Sequence, residues 1–359
     1  MAGFSIGSKR ICRRVSRQIF WGTADFNLCD WGSEELNKIL VTGASGFIGK
    51  SLVVRLQSIA PTSVVCGVRN DHVPLPGTFE RVCVGDLTPM TDWDRALAGV
   101  GVVIHAAARV HVIQDAAMDP LAEFRRVNVD GTLNLARQAN AAGVRRFIFI
   151  SSVKVNGEAT DLGQSYFSDD TPAPLDAYGI SKMEAEQGLR RISEETGMEV
   201  VIIRPPLVYG PGVKANFLTM MKWLWSGVPL PLGAIHNKRS LVALDNLVDL
   251  IVTCIDHPAA KNQTFLVSDG EDLSTTQLLR RMAEALHRPA RLIAVPASLV
   301  QFAATLIGKP DIARRLCGSL QVDISKTRQL LGWKPPISVD KGLRLAAEHW
   351  LAENRSRQN

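Results

Sequence analysis

The sequence predicts an α/β fold, a doubly wound parallel sheet joined to a smaller C-terminal lobe. Along residues 38–152, short runs rich in Val and Ile alternate with longer helical patterns, which is typical of a parallel sheet with helices on both faces. A glycine-rich turn separates the first strand from the first helix. The 359 residues are 46% hydrophobic and 21% charged, so the chain has enough apolar material for two domains or for one large domain with insertions.

The segment KILVTGASGFIGKSLVVRL (38–56) has, in order, the patterns of a strand, a glycine-rich turn and a helix. Gly43 permits a tight turn, Gly46 lets the backbone approach a pyrophosphate, and Gly49 lets the helix pack on the strand. The free N–H groups at the helix N-terminus then attract the phosphates. This pattern predicts a Rossmann-type dinucleotide site. The other residues of the turn that we expect to line it are Ser45, Phe47 and Ile48.

The end of the second predicted strand, SVVCGVRN (63–70), bears on the choice of dinucleotide. In NAD sites an acidic residue about 20 residues past the glycines holds the ribose hydroxyls, whereas an arginine nearby suits the 2′-phosphate of NADP. Arg69 occupies this position, and Asp71 follows two residues later. We therefore expect NADP(H) ahead of NAD(H), with Asp71 as an alternative ribose contact.

Tyr178 and Lys182 lie four residues apart in YGISKMEAEQGLRRI (178–192), which has a helical pattern. Positions i and i+4 share a helix face, so the two side chains project together. A free tyrosine is a poor base at neutral pH, and a nearby ammonium is expected to lower its pKa. Ser152 ends a predicted strand that would deliver its hydroxyl to the same edge of the sheet. Together, Ser152, Tyr178 and Lys182 are candidates for moving a proton while hydride moves to or from carbon.

The motifs VTGASGFIG, GDL, HAAA, NVDGT, SSVKVNG and YGISK, taken together, resemble the extended short-chain dehydrogenase/reductases. Within them, the chain is most similar to the NAD-dependent epimerase/dehydratase family, which acts on nucleotide sugars, from residue 38 to about residue 345. The resemblance implies that Asp86 and Leu87 contact the adenine and that Ala107 forms a wall of the nicotinamide pocket. It also implies that Asn128 lies near the active site. Tyr178 and Lys182 would contact the cofactor as well.

The resemblance also implies the domain organisation. The expected NAD(P)-binding domain comprises residues 37–205 and 239–255, and the expected nucleotide-sugar-binding lobe comprises residues 206–238 and 258–345. In the lobe, Asn216 and Arg239 match positions that touch the nucleotide diphosphate, while Ser152 would contact the sugar. A guanidinium grips a pyrophosphate in a fork, which favours Arg239. For Asn216, a helix cap is the alternative role.

Three chemistries at the sugar are possible in this family. A 4,6-dehydratase carries an Asp-Glu pair just after its catalytic Ser or Thr, whereas Val153 and Lys154 follow Ser152 here, which disfavours that reaction. The wider pattern resembles bacterial UDP-N-acetyl-6-deoxyhexose 4-ketoreductases of the quinovosamine type, in surface polysaccharide (O-antigen) biosynthesis. We therefore expect an enzyme that reduces a UDP-4-keto-6-deoxy-N-acetylhexosamine. A UDP-glucose or UDP-N-acetylglucosamine 4-epimerase is the alternative, and a non-catalytic dinucleotide sensor is a distant one.

The remaining features suggest a UDP-sugar as the partner rather than nucleic acid. The net charge of +6 is spread along most of the chain, and it fits an anionic small molecule at least as well as nucleic acid. We expect no integral membrane segment, since no apolar run reaches the ~18–20 residues of a membrane span. The longest run, LVQFAATLIG (299–308), is short enough for a buried or partner-facing helix. The resemblance implies a homodimer through helices near 120–142 and 178–195.

Four further expectations concern thiols, histidines, metal and the N-terminus. The six cysteines form no CxxC pattern, which indicates reduced thiols and a cytoplasmic setting. His105 and His111 lack partner ligands at metal spacing, so structural roles and no metal are expected. Residues 1–36 contain the basic stretch SKRICRRVSRQIF, and we interpret them as an N-terminal extension that is disordered or a misassigned start, with a targeting segment as the alternative.

Overall fold

The computed structural model describes residues 38–59, 63–77, 79–110, 119–306, 308 and 310–356. The expectations for residues 1–36 and for His111 lie outside these ranges. The described strands are β1 (Lys38–Thr42), β2 (Val64–Val68), β3 (Glu80–Cys83), β4 (Val100–His105), β5 (Arg146–Ile150), β6 (Glu199–Arg204), β7 (Leu207–Tyr209), β8 (Arg239–Ala243), β9 (Thr264–Leu266) and β10 (Asp272–Leu273).

The helices surround these strands. They are α1 (Phe47–Ile59), α2 (Asp94–Leu97), α3 (Pro120–Phe124), α4 (Thr132–Ala141), α5 (Ala177–Thr196), α6 (Ala215–Ser226), α7 (Leu244–Thr253), α8 (Thr275–Ala285), α9 (Ala297–Leu306), α10 (Pro310–Cys317), α11 (Ser325–Leu331) and α12 (Val339–Ser356). A π-helical stretch, Arg125–Gly131, joins α3 to α4. Single 3₁₀ turns occupy Val153–Val155 and Pro258–Ala260.

The larger sheet has seven parallel strands in the order β3-β2-β1-β4-β5-β6-β9. Every residue of β2, β4 and β5 is buried, as expected where helices cover both faces of a parallel sheet. The strand order reverses between β1 and β4, which creates a crevice at the carboxyl ends of these strands. The predicted fold class, a Rossmann-type α/β fold, is confirmed.

Helices α4 and α5 pack on one face of this sheet through a core of aliphatic and aromatic side chains. Leu135 of α4 and Leu189 of α5 are fully buried there with Phe147 of β5. Helix α1 contacts β1 and β2, and α7 packs against α1. The sheet is therefore held between helices, and its carboxyl edge is left for a site.

The smaller sheet has the order β10-β8-β7, with β7 and β8 parallel and β8 and β10 antiparallel. Its core includes Tyr209, Phe217, Leu279 and Leu343, contributed by β7, α6, α8 and α12. These elements build the C-terminal lobe.

The assignment of residues 239–255 to the NAD(P)-binding domain, and so to its sheet, is wrong for the strand that they contain. This strand, β8, belongs to the smaller sheet, and β9 is the seventh strand of the larger one. Pro205 and Pro206 follow β6 and lack a backbone N–H, so the ladder ends there and the chain crosses to the smaller sheet. Only α7, which follows β8, returns to the larger sheet, where it packs on α1. The division into two domains otherwise stays a prediction.

Candidate active site

The glycine-rich turn passes close over the end of β4. Gly43 has φ +70°, in the left-handed region that favours glycine, and a Cβ there would lie 2.7 Å from the Ala107 nitrogen. A Cβ on Gly49 would lie 2.1 Å from the Gly43 carbonyl oxygen. Side chains are thus excluded at both positions by backbone atoms that cannot move aside.

Space remains on the outer side of the same turn. The Gly46 N–H donates to the Gly43 oxygen at 2.8 Å. A Cβ built on Gly46 would lie 3.1 Å from this same oxygen and, apart from its chain neighbours, would meet no other atom of the described residues within 4 Å. Ser45 is exposed, Phe47 and Ile48 are half-buried, and α1 has no acidic residue in its first turn. A diphosphate fits this cradle, because it meets backbone N–H groups and the positive end of the helix.

An ion pair lies at the carboxyl ends of β2 and β3. Arg69 Nε is 2.8 Å from Asp86 Oδ1, and both side chains are more than two-thirds exposed. Leu87 packs against the π-helical stretch, where a Cβ on Gly131 would lie 2.9 Å from Leu87 Cγ. Asp71 accepts a hydrogen bond through its backbone oxygen from Arg81, at 3.3 Å. The structure therefore brings the predicted 2′-phosphate residue and the predicted adenine residue together.

His105 ends β4 and is fully buried beneath this crevice. Its Nδ1 is 2.7 Å from Thr42 Oγ1 and its Nε2 is 2.9 Å from Thr132 Oγ1. Burial, and then the positive charge of Lys182, lower the pKa of His105 to about 3, so the ring is neutral at physiological pH. Thr42 Oγ1 also lies 3.4 Å from the Ala107 nitrogen. These contacts support a structural role for His105, which fixes the chain just before Ala107.

Asn128 is buried in the π-helical stretch between α3 and α4. Its amide nitrogen donates to the Arg109 oxygen at 3.0 Å and to Ser181 Oγ at 3.1 Å, and its oxygen accepts from the Arg109 nitrogen at 2.8 Å. Ser181 directly precedes Lys182 in α5. Asn128 thus ties the segment after β4 to the helix that carries the candidate catalytic pair.

A loop contact joins Ser152 to the start of α5. Ser152 Oγ accepts from the Lys154 nitrogen at 3.2 Å, and the Lys154 ammonium binds the carboxylates of Asp176 and, at 3.1 Å, Glu158. Asp176 also caps α5, since its Oδ1 accepts from the Gly179 nitrogen at 2.7 Å. The sequence analysis missed Lys154 and Asp176. The cap was detectable as an Asp directly before a helical pattern, whereas the ion pair leaves no local signal.

Tyr178 and Lys182 occupy the first two turns of α5. The half-buried ring of Tyr178 meets Phe124 of α3 edge to face, with centroids 6.1 Å apart. Lys182 is buried, and its Nζ lies 4.1 Å from the centre of the Phe149 ring, a cation–π contact. The helix therefore holds a phenol and an amine in a largely apolar setting beside the end of β5.

The pKa values of this pair differ from the expectation. Burial, and then the negative charge of Asp176, raise the pKa of Tyr178. Burial lowers the pKa of Lys182 to about 7, and the charge of Glu186 opposes this shift. The expectation that the lysine makes the phenol more acidic is wrong for this structure, because burial and the Asp176 carboxylate both raise the pKa of Tyr178. The phenol is protonated near neutral pH, while the lysine is close to its own pKa.

A buried polar network supports the site from below. Glu186, one turn after Lys182, accepts from Ser151 Oγ at 2.5 Å and from Arg204 Nε at 2.9 Å and Nη2 at 2.5 Å. Arg204 Nη1 donates to Asn156 Oδ1 at 3.1 Å. The network connects the end of β5, helix α5 and the end of β6. It therefore positions Ser151, which directly precedes Ser152, and the turn of α5 that follows Lys182.

The two candidate substrate residues lie in separate elements of the lobe. Arg239 of β8 is half-buried, and its Nη1 donates to the carbonyl oxygens of Arg315, at 2.9 Å, and Gly318, at 3.1 Å. Burial and the positive charge of Arg315 lower the pKa of Arg239. Asn216 is exposed in α6, whose N-cap position is Lys214, so the helix-cap alternative is wrong.

The described ranges contain no group of three or more His, Cys, Asp or Glu side chains arranged to hold a metal ion. None of the helices in these ranges is long and apolar enough to cross a membrane. The cysteines in this part of the chain, Cys66, Cys83, Cys254 and Cys317, are all free.

The Rossmann-type fold with its glycine-rich turn defines the class of protein, an extended short-chain dehydrogenase/reductase. The model of the NAD dependent epimerase/dehydratase family matches residues 39–268, and the chain belongs to this family. A protein of Vibrio cholerae named UDP-glucose 4-epimerase is 48% identical over 332 residues, covering 91% of this chain and 99% of the relative. The expected family membership is thereby confirmed.

Solved structures agree with the fold. The UDP-glucuronic acid 4-epimerase of Bacillus cereus, solved in complex with NAD, is 22% identical with a TM-score of 0.69, covering 87% of this chain and 96% of the other. The RMD protein of Pseudomonas aeruginosa, complexed with NADPH, is also 22% identical with a TM-score of 0.65, covering 87% and 99%. At these identities the similarity supports the architecture alone.

Proposed function

We propose that the protein interconverts the alcohol and the ketone at C4 of a UDP-sugar, with net 4-epimerisation of a UDP-hexose as the overall reaction. The observation that supports this most is the link between the end of β5 and the start of α5, the two places that carry Ser152, Tyr178 and Lys182. Lys182 Nζ lies 4.1 Å from the Phe149 ring of β5, and Lys154, which donates its N–H to Ser152 Oγ, binds Asp176 at the cap of α5. The near full-length relative named UDP-glucose 4-epimerase favours epimerisation over the reduction expected from the sequence.

Each side chain has a role that its surroundings support. A bound nicotinamide supplies the hydride acceptor and donor. The Ser152 hydroxyl donates a hydrogen bond to the sugar oxygen at C4, and the Tyr178 hydroxyl moves the proton of that oxygen. Lys182, with a pKa of about 7, exchanges a proton close to neutral pH and sets the charge beside the phenol. Asn128 and Asp176 position α5 rather than react.

The diphosphate of the UDP-sugar would be bound at the lobe. Arg239 and Arg315 are close enough for one positive charge to lower the other's pKa, and an anion bound there would relieve their repulsion. Arg239 Nη1 is occupied by two carbonyl oxygens, so the rest of the guanidinium is the part available to a phosphate.

Reduction of a UDP-4-keto-6-deoxy-N-acetylhexosamine is the second candidate. It is favoured by the exposed guanidinium of Arg69, which suits a 2′-phosphate and hence a cofactor that is exchanged after each turnover. The Pseudomonas aeruginosa structure with NADPH is compatible with this second candidate. The cofactor is therefore NAD(H) or NADP(H).

The homodimer stays a prediction.

Two assays on purified protein distinguish the candidates. Conversion of UDP-galactose to UDP-glucose, followed by NMR without net cofactor turnover, supports epimerisation. Loss of NADPH absorbance with the 4-ketosugar supports reduction. Failure of both would overturn the proposal.

The catalytic role of Tyr178 has a matched test. Tyr178→Phe should lower kcat by about 10²-fold or more, the usual contribution of a positioned acid or base, while the Kd for the cofactor changes little. Tyr166→Phe is the control, because it also removes a tyrosine hydroxyl, but one that we give no role in the reaction. That hydroxyl donates to the Ala159 oxygen at 2.6 Å, within the loop 157–167. Full turnover in Tyr178→Phe would contradict the mechanism and assign the proton transfer to another group. Absence of turnover in the wild type as well would leave a dinucleotide sensor as the better explanation.

A further inference from the structure

Large apolar side chains are exposed together on one part of the lobe. In the described ranges, fifteen large hydrophobic residues are exposed, and seven of them fall within two short segments, 223–228 and 293–306. We call this surface the lobe face. Its members are Trp223, Trp225, Val228, Ile293, Leu299, Phe302 and Leu306.

Helix α9 turns an apolar stripe away from the protein. Leu299, Phe302 and Leu306 are 57%, 63% and 72% exposed, and their spacing of three and four residues puts them on one side of the helix. Val300, also on α9, packs against the lobe core, and no residue of α9 is buried. The apolar run that begins at Leu299 therefore does not form a buried helix, which leaves the alternative of a partner-facing helix.

Backbone pairing makes the two segments neighbours. Leu230 donates to the Arg291 oxygen at 2.9 Å, and Ile293 donates to the Leu230 oxygen at 2.8 Å. Beside this ribbon, the Arg288 guanidinium lies 4.0 Å from the centre of the Trp225 ring. The ribbon leads directly into α9, so the tryptophans, the arginines and the helix form one continuous region.

The segments that carry the lobe face contain basic residues and no acid. Between residues 215 and 230 the one charged residue is Lys222, and between residues 286 and 306 the charged residues are Arg288 and Arg291; all three are exposed. Lys222 directly precedes Trp223, and Arg288 stacks on Trp225. The positive charges therefore adjoin the exposed tryptophans.

We propose that the lobe face binds the surface of an anionic membrane. Exposed Leu and Phe on a short helix, Trp at the border and flanking Arg and Lys are the composition of an interfacial contact, in which apolar groups enter the headgroup region and basic groups meet anionic lipid. A second copy of the chain fits less well, because a two-fold interface would place the same positive region against itself.

Vesicle flotation of the full chain tests this proposal. The wild type should float with vesicles that contain phosphatidylglycerol and remain behind with pure phosphatidylcholine. Phe302→Glu combined with Leu306→Glu should lower the fraction bound by about tenfold or more, because two buried apolar contacts are replaced by charges of the lipid's own sign. The tryptophan fluorescence should shift to shorter wavelength on binding in the wild type, through Trp223 and Trp225, and should not shift in the double variant.

Leu162→Glu is the matched control, because Leu162 is 66% exposed but lies outside the lobe face. It should bind vesicles as the wild type does, and circular dichroism should show all variants folded. Unchanged binding by the double variant would overturn the proposal and assign binding to the basic stretch 8–20. Absence of wild-type binding would overturn the proposal. If, in addition, light scattering gave the double variant half the mass of the wild type, the lobe face would be assigned to a self-interface.

Discussion

At the scale of single residues, two glycines of the same turn differ in what a side chain would meet. Gly49 faces backbone, with a carbonyl oxygen 2.1 Å from the place of a Cβ, whereas a Cβ on Gly46 would meet a single atom of the described residues, at 3.1 Å. Packing of the fold therefore requires a glycine at position 49, while at position 46 we propose that the dinucleotide requires it.

We predict that Gly49→Ala destabilises the protein and that Gly46→Ala does so far less. In Gly49→Ala the backbone must shift, at an expected cost of about 1–3 kcal/mol or more in the free energy of unfolding. Gly46→Ala should keep nearly all of its stability but bind the dinucleotide more weakly, because its methyl group lies where the phosphates approach. Urea denaturation and calorimetric titration with NAD and NADP measure the two effects. Equal stability loss in both variants would contradict this distinction.

The sequence was informative about these residues only where the determinant is local. A glycine spacing between a strand and a helix is visible in the chain itself, and so is an i, i+4 pair. The pKa of Tyr178 depends on burial against α3 and on Asp176, so the simple rule of a neighbouring ammonium predicted the wrong direction.

At the scale of elements, the N-terminus of α5 connects structure to chemistry. Asp176 caps the helix, binds Lys154 of the Ser152 loop, and raises the pKa of Tyr178. A single carboxylate thus fixes the helix, fastens the loop and makes the phenol less acidic.

We predict that Asp176→Asn separates these roles. An asparagine caps a helix about as well as an aspartate, so the thermal stability should change little. Loss of the negative charge should lower the pKa of Tyr178, since that charge raises it. Oxidation of the alcohol needs the phenolate as the base, so its kcat falls as the pH drops below the pKa of Tyr178. In Asp176→Asn, this acid limb of the plot of kcat against pH should move to lower pH. Glu158→Gln, which removes the other carboxylate of Lys154, is the control.

A shift of the acid limb to higher pH in Asp176→Asn would contradict the assigned effect of the Asp176 charge on the pKa of Tyr178.

For helices and strands, the prediction from sequence was good for long segments and poor for short ones. Runs of aliphatic residues located the central strands, but β7 and β10 have three and two residues, too few for any periodicity. Their pairing with β8 depends on contacts distant in sequence.

At the scale of the whole molecule, the polar network around Arg204 joins elements that meet only in the folded chain. Arg204 and Glu186 have side-chain exposures of 2% and 3%, and together they bind Ser151 and Asn156. In a buried ion pair, close contact and additional hydrogen bonds offset the cost of removing two charges from water. Removal of one member leaves the other as an uncompensated buried charge.

We predict that Arg204→Met costs about 3–5 kcal/mol in the free energy of unfolding. The double variant Glu186→Leu, Arg204→Met should recover part of this loss, because no charge remains buried. Lys38→Met is the control, since its pair with Glu80 is exposed and is expected to contribute under about 1 kcal/mol. Urea denaturation at pH 7 measures all three, and a loss in Arg204→Met no greater than in Lys38→Met would refute the prediction.

The Glu186–Arg204 pair also constrains how such a chain changes over evolutionary time. A lineage that replaces either residue alone passes through an intermediate with an orphaned charge in its interior, and selection would remove most such intermediates. Among descendants of a common ancestor, the two positions should therefore persist together or be exchanged together, as a coupled step rather than as two independent ones.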